Sequence, residues 1–419
     1  MGYTIAEKIL MARAGAKNVQ PGDIVTVEPD RVMSHDNTAF IIKKFLQTGY
    51  TEPWNKEKLT IIFDHCVPAT NPAHKQNHDE ARAFAKEHNL PYFYDDKAGV
   101  CHQVMMEEGL VLPGSLTVGC DSHSTLYGAM NCLGIPINRT EMAGIWATGK
   151  IWLKVPETIK IVLEGELQEG VFAKDIILHL LSILRADGAT YKVLEFTGST
   201  VSTMSMGSRM TLANMAVELG GKAGVFPFDE KTKAYLTGRT DAPYEPVESD
   251  TDAHYCETVT VDVSQLEPQV SCPHTVDNVK PISEVVGKEV QQAYLGSCTN
   301  GRLEDLQAAA AVLKGKKVAD TVRLVVYPAS AKVKEEAIAA GVIKELEEAG
   351  AEIRTNSCGP CFGAVDATLG DHDVCISSSN RNFCGRMGSA KSFVYLASPA
   401  VVAASAIAGK IADPREVSQ

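Results

Sequence analysis

Apolar positions recur at three- and four-residue spacing in Asn37 to Gln47, Asn77 to Glu87, Lys174 to Leu184, Leu303 to Leu313 and Ala331 to Ala340. That repeat lays an apolar stripe along one side of a helix. Between these stretches stand short β-branched runs: Asp23 to Val27, Leu59 to Phe63, Thr158 to Val162, the residues leading into Tyr294, and Val322 to Val326. The alternation predicts an α/β fold with largely parallel sheets. Several polar stretches begin directly after a strand, and open α/β sheets bind ligands beyond the carboxyl ends of their strands. Tyr395 to Gly409 is uncharged but interrupted by a proline and shorter than the ~20 residues a bilayer requires, so it reads as a buried helix. Thr237 to Glu257 is polar, acidic and turn-rich, an exposed connection with scope for partial disorder. Boundaries near 156 and 272 divide the chain into units 1–156, 157–272 and 273–419.

The 419 residues, 45% of them hydrophobic, have the material for two to four domains at ~100–200 residues each. A net charge of −12 argues against a duplex nucleic-acid binder, whose surface must neutralise phosphates. The first eighteen residues carry Glu7, Lys8 and Arg13 in a helical pattern, without the apolar core of a secretion signal. A soluble cytoplasmic protein is expected. Eleven cysteines, an odd number spread through the chain, do not suggest a disulfide framework. Most of them are expected to be small buried hydrophobes, so only spacing and neighbours can single out reactive ones.

Two stretches stand out: Ser357-Cys358-Gly359-Pro360-Cys361, and Gly296-Ser297-Cys298-Thr299-Asn300 upstream. Each follows a predicted strand. Two thiolates spaced C-x-x-C can reach one metal or cluster, and three cysteines suit an iron–sulfur cluster with one iron left free of protein sulfur. CGPC is also the dithiol of thioredoxin-like thiol–disulfide oxidoreductases, although the aromatic residue that usually precedes it is absent. A zinc-stabilised binding protein is a third reading, without a second pair of ligands to complete the tetrahedral set.

Histidines and acids gather in Ser34-His35-Asp36-Asn37-Thr38, Asp64-His65, Gly99-Val100-Cys101-His102-Gln103 and Asp121-Ser122-His123-Ser124. A carboxylate beside an imidazole holds its tautomer and favours the imidazolium, which can protonate a poor leaving group. One such histidine alone is more often a hydrogen-bonded structural residue. Four of them at strand ends and loops weigh against that reading. Arg381 and Arg386, among the hydroxyl and amide side chains of Ser377 to Arg386, could form a planar carboxylate clamp. The G-x-x-x-x-G-K match at Gly144 to Lys150 is discarded as a nucleotide loop, because Ile151 replaces the magnesium-binding Ser or Thr and the run looks helical.

Taken in order, DH at 64–65, GVCHQV at 99–104, DSH at 121–123, NMAVE at 214–218, GSCTN at 296–300, SCGPC at 357–361 and SNRNFCGR at 379–386 resemble the aconitase superfamily through nearly the whole chain. The likeness is greatest to its stand-alone large subunits. The resemblance implies three doubly wound α/β domains around a central cleft, like aconitase domains 1 to 3 without the swivelling fourth domain. It implies a [4Fe-4S] cluster on Cys298, Cys358 and Cys361, and a hydro-lyase that reversibly dehydrates a hydroxy dicarboxylic acid. Isomerisation of 2- and 3-isopropylmalate comes first among the reactions, with homoaconitase, 2,3-dimethylmalate or maleate-type chemistry beside it. Carried over by position, Asp64 and His65 form the acid at the leaving hydroxyl. His102 with Asp121 bonds that hydroxyl or bound water, and His123 and Glu218 position the water. His35 and Ser122 contact substrate carboxylate, Arg381 and Arg386 clamp it, and Asn214 and Asn380 lie beside the cluster. The missing fourth domain implies a separate small subunit, without which no turnover is expected. Two departures, Gly134 to Glu141 in place of a glycine-rich stretch and Ala213 where cysteine is common, leave the exact substrate open.

Overall fold

The computed structural model describes residues 2–363 and 365–417. Three sheets carry the architecture. In the first, strands Tyr92–Tyr94, Leu59–Ile62, Arg31–Ser34, Leu116–Gly119 and Leu133–Pro136 lie side by side in that order, all parallel. The second sets Ala223–Val225, Val193–Thr197, Thr158–Glu164 and Glu257–Asp262 in parallel. The third runs Val279–Pro281, Gln269–Ser271, Phe393–Leu396, Val374–Ser377, Gln292–Leu295, Arg323–Val326, Glu352–Ile353. Its last five strands are parallel and its first two antiparallel. Wholly buried strands such as Leu59–Ile62, Leu116–Gly119 and Gln292–Leu295 are those of sheets covered on both faces.

The expected helices form at Thr38–Gln47, Pro72–Glu87, Ala173–Leu184, Leu303–Leu313 and Ala331–Ala339. The second of these starts five residues earlier than its apolar pattern, because Pro72 occupies the first turn and Asn71 accepts from His74 N, a cap that needs no apolar residue. Three expectations change. The run at Asp23 to Val27 becomes Ile24–Val27, outside the parallel sheets, in an antiparallel pair with Ile151–Lys154. Tyr395 belongs to the last strand, and the buried helix begins only at Pro399. The acidic connection is an ordered extended strap: Asn131 brackets Val247 with bonds of 2.8 and 2.9 Å, and Asp250 takes Lys8 at 2.6 Å. Gly144 lies inside helix Arg139–Thr148, so no phosphate-binding loop forms there. No helix among the described residues is long and apolar enough to cross a membrane.

A continuous apolar core joins the sheets, since Met105, Tyr127, Phe196, Met210, Tyr294 and Tyr327 from all three belong to one buried cluster. Backbones approach closely where Gly99, at φ +133°, lies against Ser330. A Cβ there would stand 2.4 Å from the Ser330 Cα, so the glycine is required by both conformation and space.

Candidate active site

Strand order reverses at two places that face the same cleft. In the first sheet Arg31–Ser34 and Leu116–Gly119 are neighbours whose continuations diverge, delivering His35-Asp36 and Cys120-Asp121 to one crevice. In the third, Gln292–Leu295 and Val374–Ser377 do the same for Cys298 and for Asn380-Arg381. Cys358 and Cys361 arrive from the loop after Glu352–Ile353. Ligand sites form at such switch points because the diverging loops leave a gap at the strand ends. Here a cavity of about 1220 Å³ opens, lined among others by His35, His65, His102, Ser122, Arg381 and Arg386.

Asp36 organises one wall. Its Oδ2 accepts from the backbone N–H of Asp64 at 2.9 Å and of His65 at 2.7 Å, and its Oδ1 from Cys66 N at 3.0 Å and His78 Nε2 at 2.6 Å. Burial alone would raise this carboxyl, but His35 and His78 outweigh it and hold it well below its ordinary value. The loop so gripped presents His65, whose Nδ1 donates to Asp64 Oδ1 at 2.6 Å while Nε2 stands 3.5 Å from Asp121 Oδ2. Burial disfavours the imidazolium, yet Asp64, the Cys358 sulfur and Asp121 together raise its pKa well above the usual value. His35 stacks on this ring at 4.2 Å. Its Nε2 bonds the Cys120 carbonyl at 3.0 Å, and its buried Nδ1 has no hydrogen-bond partner.

Asp121 is the second hub. It accepts from His102 Nε2 at 2.6 Å and from His123 N at 2.8 Å, and its histidine partners overcome burial to keep it well below the ordinary range. His102 is oriented from behind by Tyr127, whose hydroxyl lies 3.0 Å from Nδ1, and burial lowers its pKa. Ser122 Oγ lies 3.4 Å from His123 Nδ1. On its other nitrogen His123 meets Glu218 Oε1 at 2.9 Å, and Glu218 takes Arg381 Nε on both oxygens at 2.7 and 3.0 Å. Arg381 lines the cavity and is thus already braced by a carboxylate. Asp64, Glu218 and Asn214 lie behind the cavity-lining residues rather than among them.

Cys298, Cys358 and Cys361 are buried, unpaired by disulfide, and all line the cavity. Asn380 links two of them, its Oδ1 at 3.8 Å from Cys298 Sγ and 3.9 Å from Cys361 Sγ. It also donates to Asn214 Oδ1, which leaves the buried Asn214 Nδ2 without a partner. Cys358 Sγ stands 3.5 Å from Asp64 Oδ2 and Arg386 Nη2 4.0 Å from Cys361 Sγ. Burial, then the neighbouring sulfur of Cys361, pushes the Cys298 thiol up to about 12, and burial pushes Cys358 up as well.

Sequence reasoning quoted Asp36 within a motif without giving it a role, and missed Tyr127 and His78 entirely. Nothing in one chain's residue order marks a tyrosine in a short helical turn, or a histidine sixteen residues past the end of strand Leu59–Ile62, as partners of these particular side chains. Arg139 and Phe40, packed at 4.8 Å on the cavity's outer rim, were likewise unreadable.

The geometry defines an α/β enzyme with paired acid–imidazole groups facing a cluster of buried thiols across one cleft. The aconitase family model (aconitate hydratase) matches residues 7–291 and 284–409. The chain is 47% identical over 415 residues to the probable 3-isopropylmalate dehydratase large subunit of Methanothermobacter thermautotrophicus, covering 99% of both chains. It is 48% identical over 416 residues, again 99% of both, to the 3-isopropylmalate dehydratase large subunit 1 of Methanopyrus kandleri. Over 389 residues, 93% of this chain and 99% of the relative, it is 48% identical to the probable methanogen homoaconitase large subunit of Methanosarcina mazei. The chain belongs to the aconitase family.

Proposed function

We propose that this chain is the cluster-bearing large subunit of a hydro-lyase that interconverts 2- and 3-isopropylmalate by dehydration and rehydration. The observation that carries the reading is the convergence of His65, His102, His123 and Arg381 on the same cavity as Cys298, Cys358 and Cys361. Full-length relatives named as 3-isopropylmalate dehydratase large subunits support the substrate. The Methanosarcina mazei relative supports homoaconitase as the second reading. The words "large subunit" in those names support a separate small subunit that completes the site, and the cytoplasm is the proposed place of work. Units 1–156, 157–272 and 273–419 are taken as three domains around the cleft.

The donor set fits a [4Fe-4S] cluster. Three buried thiols share one wall, and the unpartnered Nδ2 of Asn214 offers a hydrogen bond beside them. The three sulfurs are not among the ligand atoms found within 4.8 Å of one another, whereas one tetrahedral zinc ion would draw its sulfurs to about 3.8 Å apart at ~2.3 Å per bond. When bound through Cys298, Cys358 and Cys361, the cluster supplies a Lewis-acid iron free of protein ligands for the substrate's hydroxyl and carboxylate.

This chain's residues supply the rest. His65, kept protonated between Asp64 and Asp121, holds the proton that a departing hydroxyl requires. His102 and His123, oriented by Asp121, Tyr127 and Glu218, orient hydroxyl or water. Arg381 and Arg386 offer cations to the substrate carboxylates, with His35 and Ser122 as neighbouring contacts.

Iron and acid-labile sulfide content, with paramagnetic resonance after mild oxidation, tests the proposal on anaerobically prepared protein and on Cys298→Ser. A three-iron signal that regains iron on reconstitution and is lost in the variant is expected. Colourless or zinc-containing protein that resists reconstitution overturns it. Turnover of 3-isopropylmalate with a candidate small subunit, and none without, tests the substrate and partner.

A further inference from the structure

Lys174, in the first turn of helix Ala173–Leu184, is 0% exposed. Its Nζ donates to three neutral oxygens: Ser379 O at 2.6 Å, Ser378 O at 2.8 Å and Asn300 Oδ1 at 3.4 Å. The carboxylates that act on it are engaged elsewhere. Asp305 accepts from Asn300 Nδ2 at 2.8 Å and from Arg302 N at 3.0 Å. Asp175 accepts from the backbone N–H of Phe172 and Gln269, both at 2.8 Å, and burial lifts it to about 7, which weakens it as a counter-ion. An ammonium without an ion-pair partner is among the costliest groups to bury.

The three acceptors place Lys174 directly beneath the sulfur pocket. Asn300 lies two residues beyond Cys298, and Ser378-Ser379 precede Asn380, the amide that touches Cys298 and Cys361. Burial pushes this ammonium down to about 7, even with Asp305 and the sulfurs of Cys361 and Cys298 favouring its charge. The same coupling acts in reverse, since a charge that favours thiolates is itself favoured by them.

We propose that Lys174 is the buried counter-charge of the thiolate-bound cluster, offsetting the negative charge that Cys298, Cys358 and Cys361 bring into the pocket. The inference rests on the reading of those cysteines as cluster ligands. Three thiolates outweigh the charge of the iron–sulfide core and leave the assembly net negative, and nearby charge is one of the factors that set a cluster's potential. Lys174 acts through the field and through the loops it holds, so it is a positioning residue.

Lys174→Met keeps the length of the side chain and removes its charge. The test is a cycle: melting of apo and cluster-loaded full chain, wild type against variant, with the midpoint potential and the rate of cluster loss to a chelator in the loaded forms. The expected result is a variant whose apo form loses less in melting temperature than its loaded form does, because the lost ties to Ser378, Ser379 and Asn300 act in both forms and the lost charge only in the second. Its loaded form should melt lower, lose cluster about tenfold faster or more, and show a lower potential. Equal destabilisation of both forms, an apo variant that fails to fold, or an unchanged potential and rate of loss would make Lys174 a structural tie and overturn the proposal. A wild-type chain that takes up no iron and sulfide removes the underlying ligand reading instead, and the inference with it.

Discussion

Replacing Asp36 by asparagine exchanges an acceptor oxygen for an amide donor at the point where four N–H groups converge. Two of these point at each carboxylate oxygen: Asp64 N and His65 N at Oδ2, Cys66 N and His78 Nε2 at Oδ1. An asparagine side chain can serve only one pair, whichever way it turns. Two buried donors then face an NH₂ group, at about 1–3 kcal/mol each, so the variant should lose roughly 2–6 kcal/mol of stability. Asparagine has nearly the volume of aspartate, so packing is preserved and the loss reads hydrogen bonding. The gripped loop carries His65, and a displacement of ~1 Å there should lower turnover by about 10²-fold. Chemical denaturation measures the first quantity, and kcat with the partner subunit the second. The pH dependence follows from the depressed carboxyl. Its stabilisation is complete above the unfolded value near ~3.9 and is lost as pH falls through the lower folded value. The gap between wild type and Asp36→Asn should therefore close in acid. A variant within ~0.5 kcal/mol of wild type at neutral pH, turning over like the wild type, would refute the reasoning.

Arg381→Met should raise KM and lower kcat/KM by about 10²-fold or more, since it removes a cation from the cavity and leaves the buried Glu218 with His123 alone. Arg381→Lys should not rescue, because a point charge cannot repeat the planar grip; steady-state kinetics with full recovery in the lysine variant would contradict this. Tyr127→Phe removes the hydroxyl 3.0 Å from His102 Nδ1 and should cost about tenfold in kcat, ~1.4 kcal/mol, with KM unchanged. Gly99→Ala should destabilise by more than ~1 kcal/mol, because its Cβ would meet Ser330 Cα at 2.4 Å, and an unchanged melting temperature would show that the two units can separate there at no cost.

Local physical chemistry made much of this chain readable. Apolar spacing located the helices at Leu303–Leu313 and Ala331–Ala339 nearly to the residue, because an amphipathic stripe is a property of neighbours in the chain. Ile24–Val27 was legible as a strand but not in its antiparallel pairing with Ile151–Lys154, a partner more than a hundred residues away. The acidic strap was misread as loosely held because its anchors, Asn131 and Lys8, lie far off in sequence. The motifs marked Asp64-His65, Asp121-Ser122-His123 and the three cysteines as chemically able. Through the resemblance they also paired Asp64 with His65, Asp121 with His102 and Glu218 with His123, the pairs that hydrogen-bond in the structure; they did not indicate that His65 also stands near Asp121 or that Arg381 braces Glu218.

By itself the sequence determined the α/β class, the strand-end placement of the reactive residues and, through the ordered motifs, the aconitase resemblance. The first two follow from periodicity within a few turns of chain; the third rests on the order of seven motifs spread from 64 to 386. Only the tertiary structure decided that Asp36 grips the His65 loop, that Tyr127 orients His102, and that a buried ammonium stands beneath three thiols. Hydrogen bonds and desolvation act over a few ångströms of space, and residues brought that close here are separated by dozens to hundreds of positions along the chain.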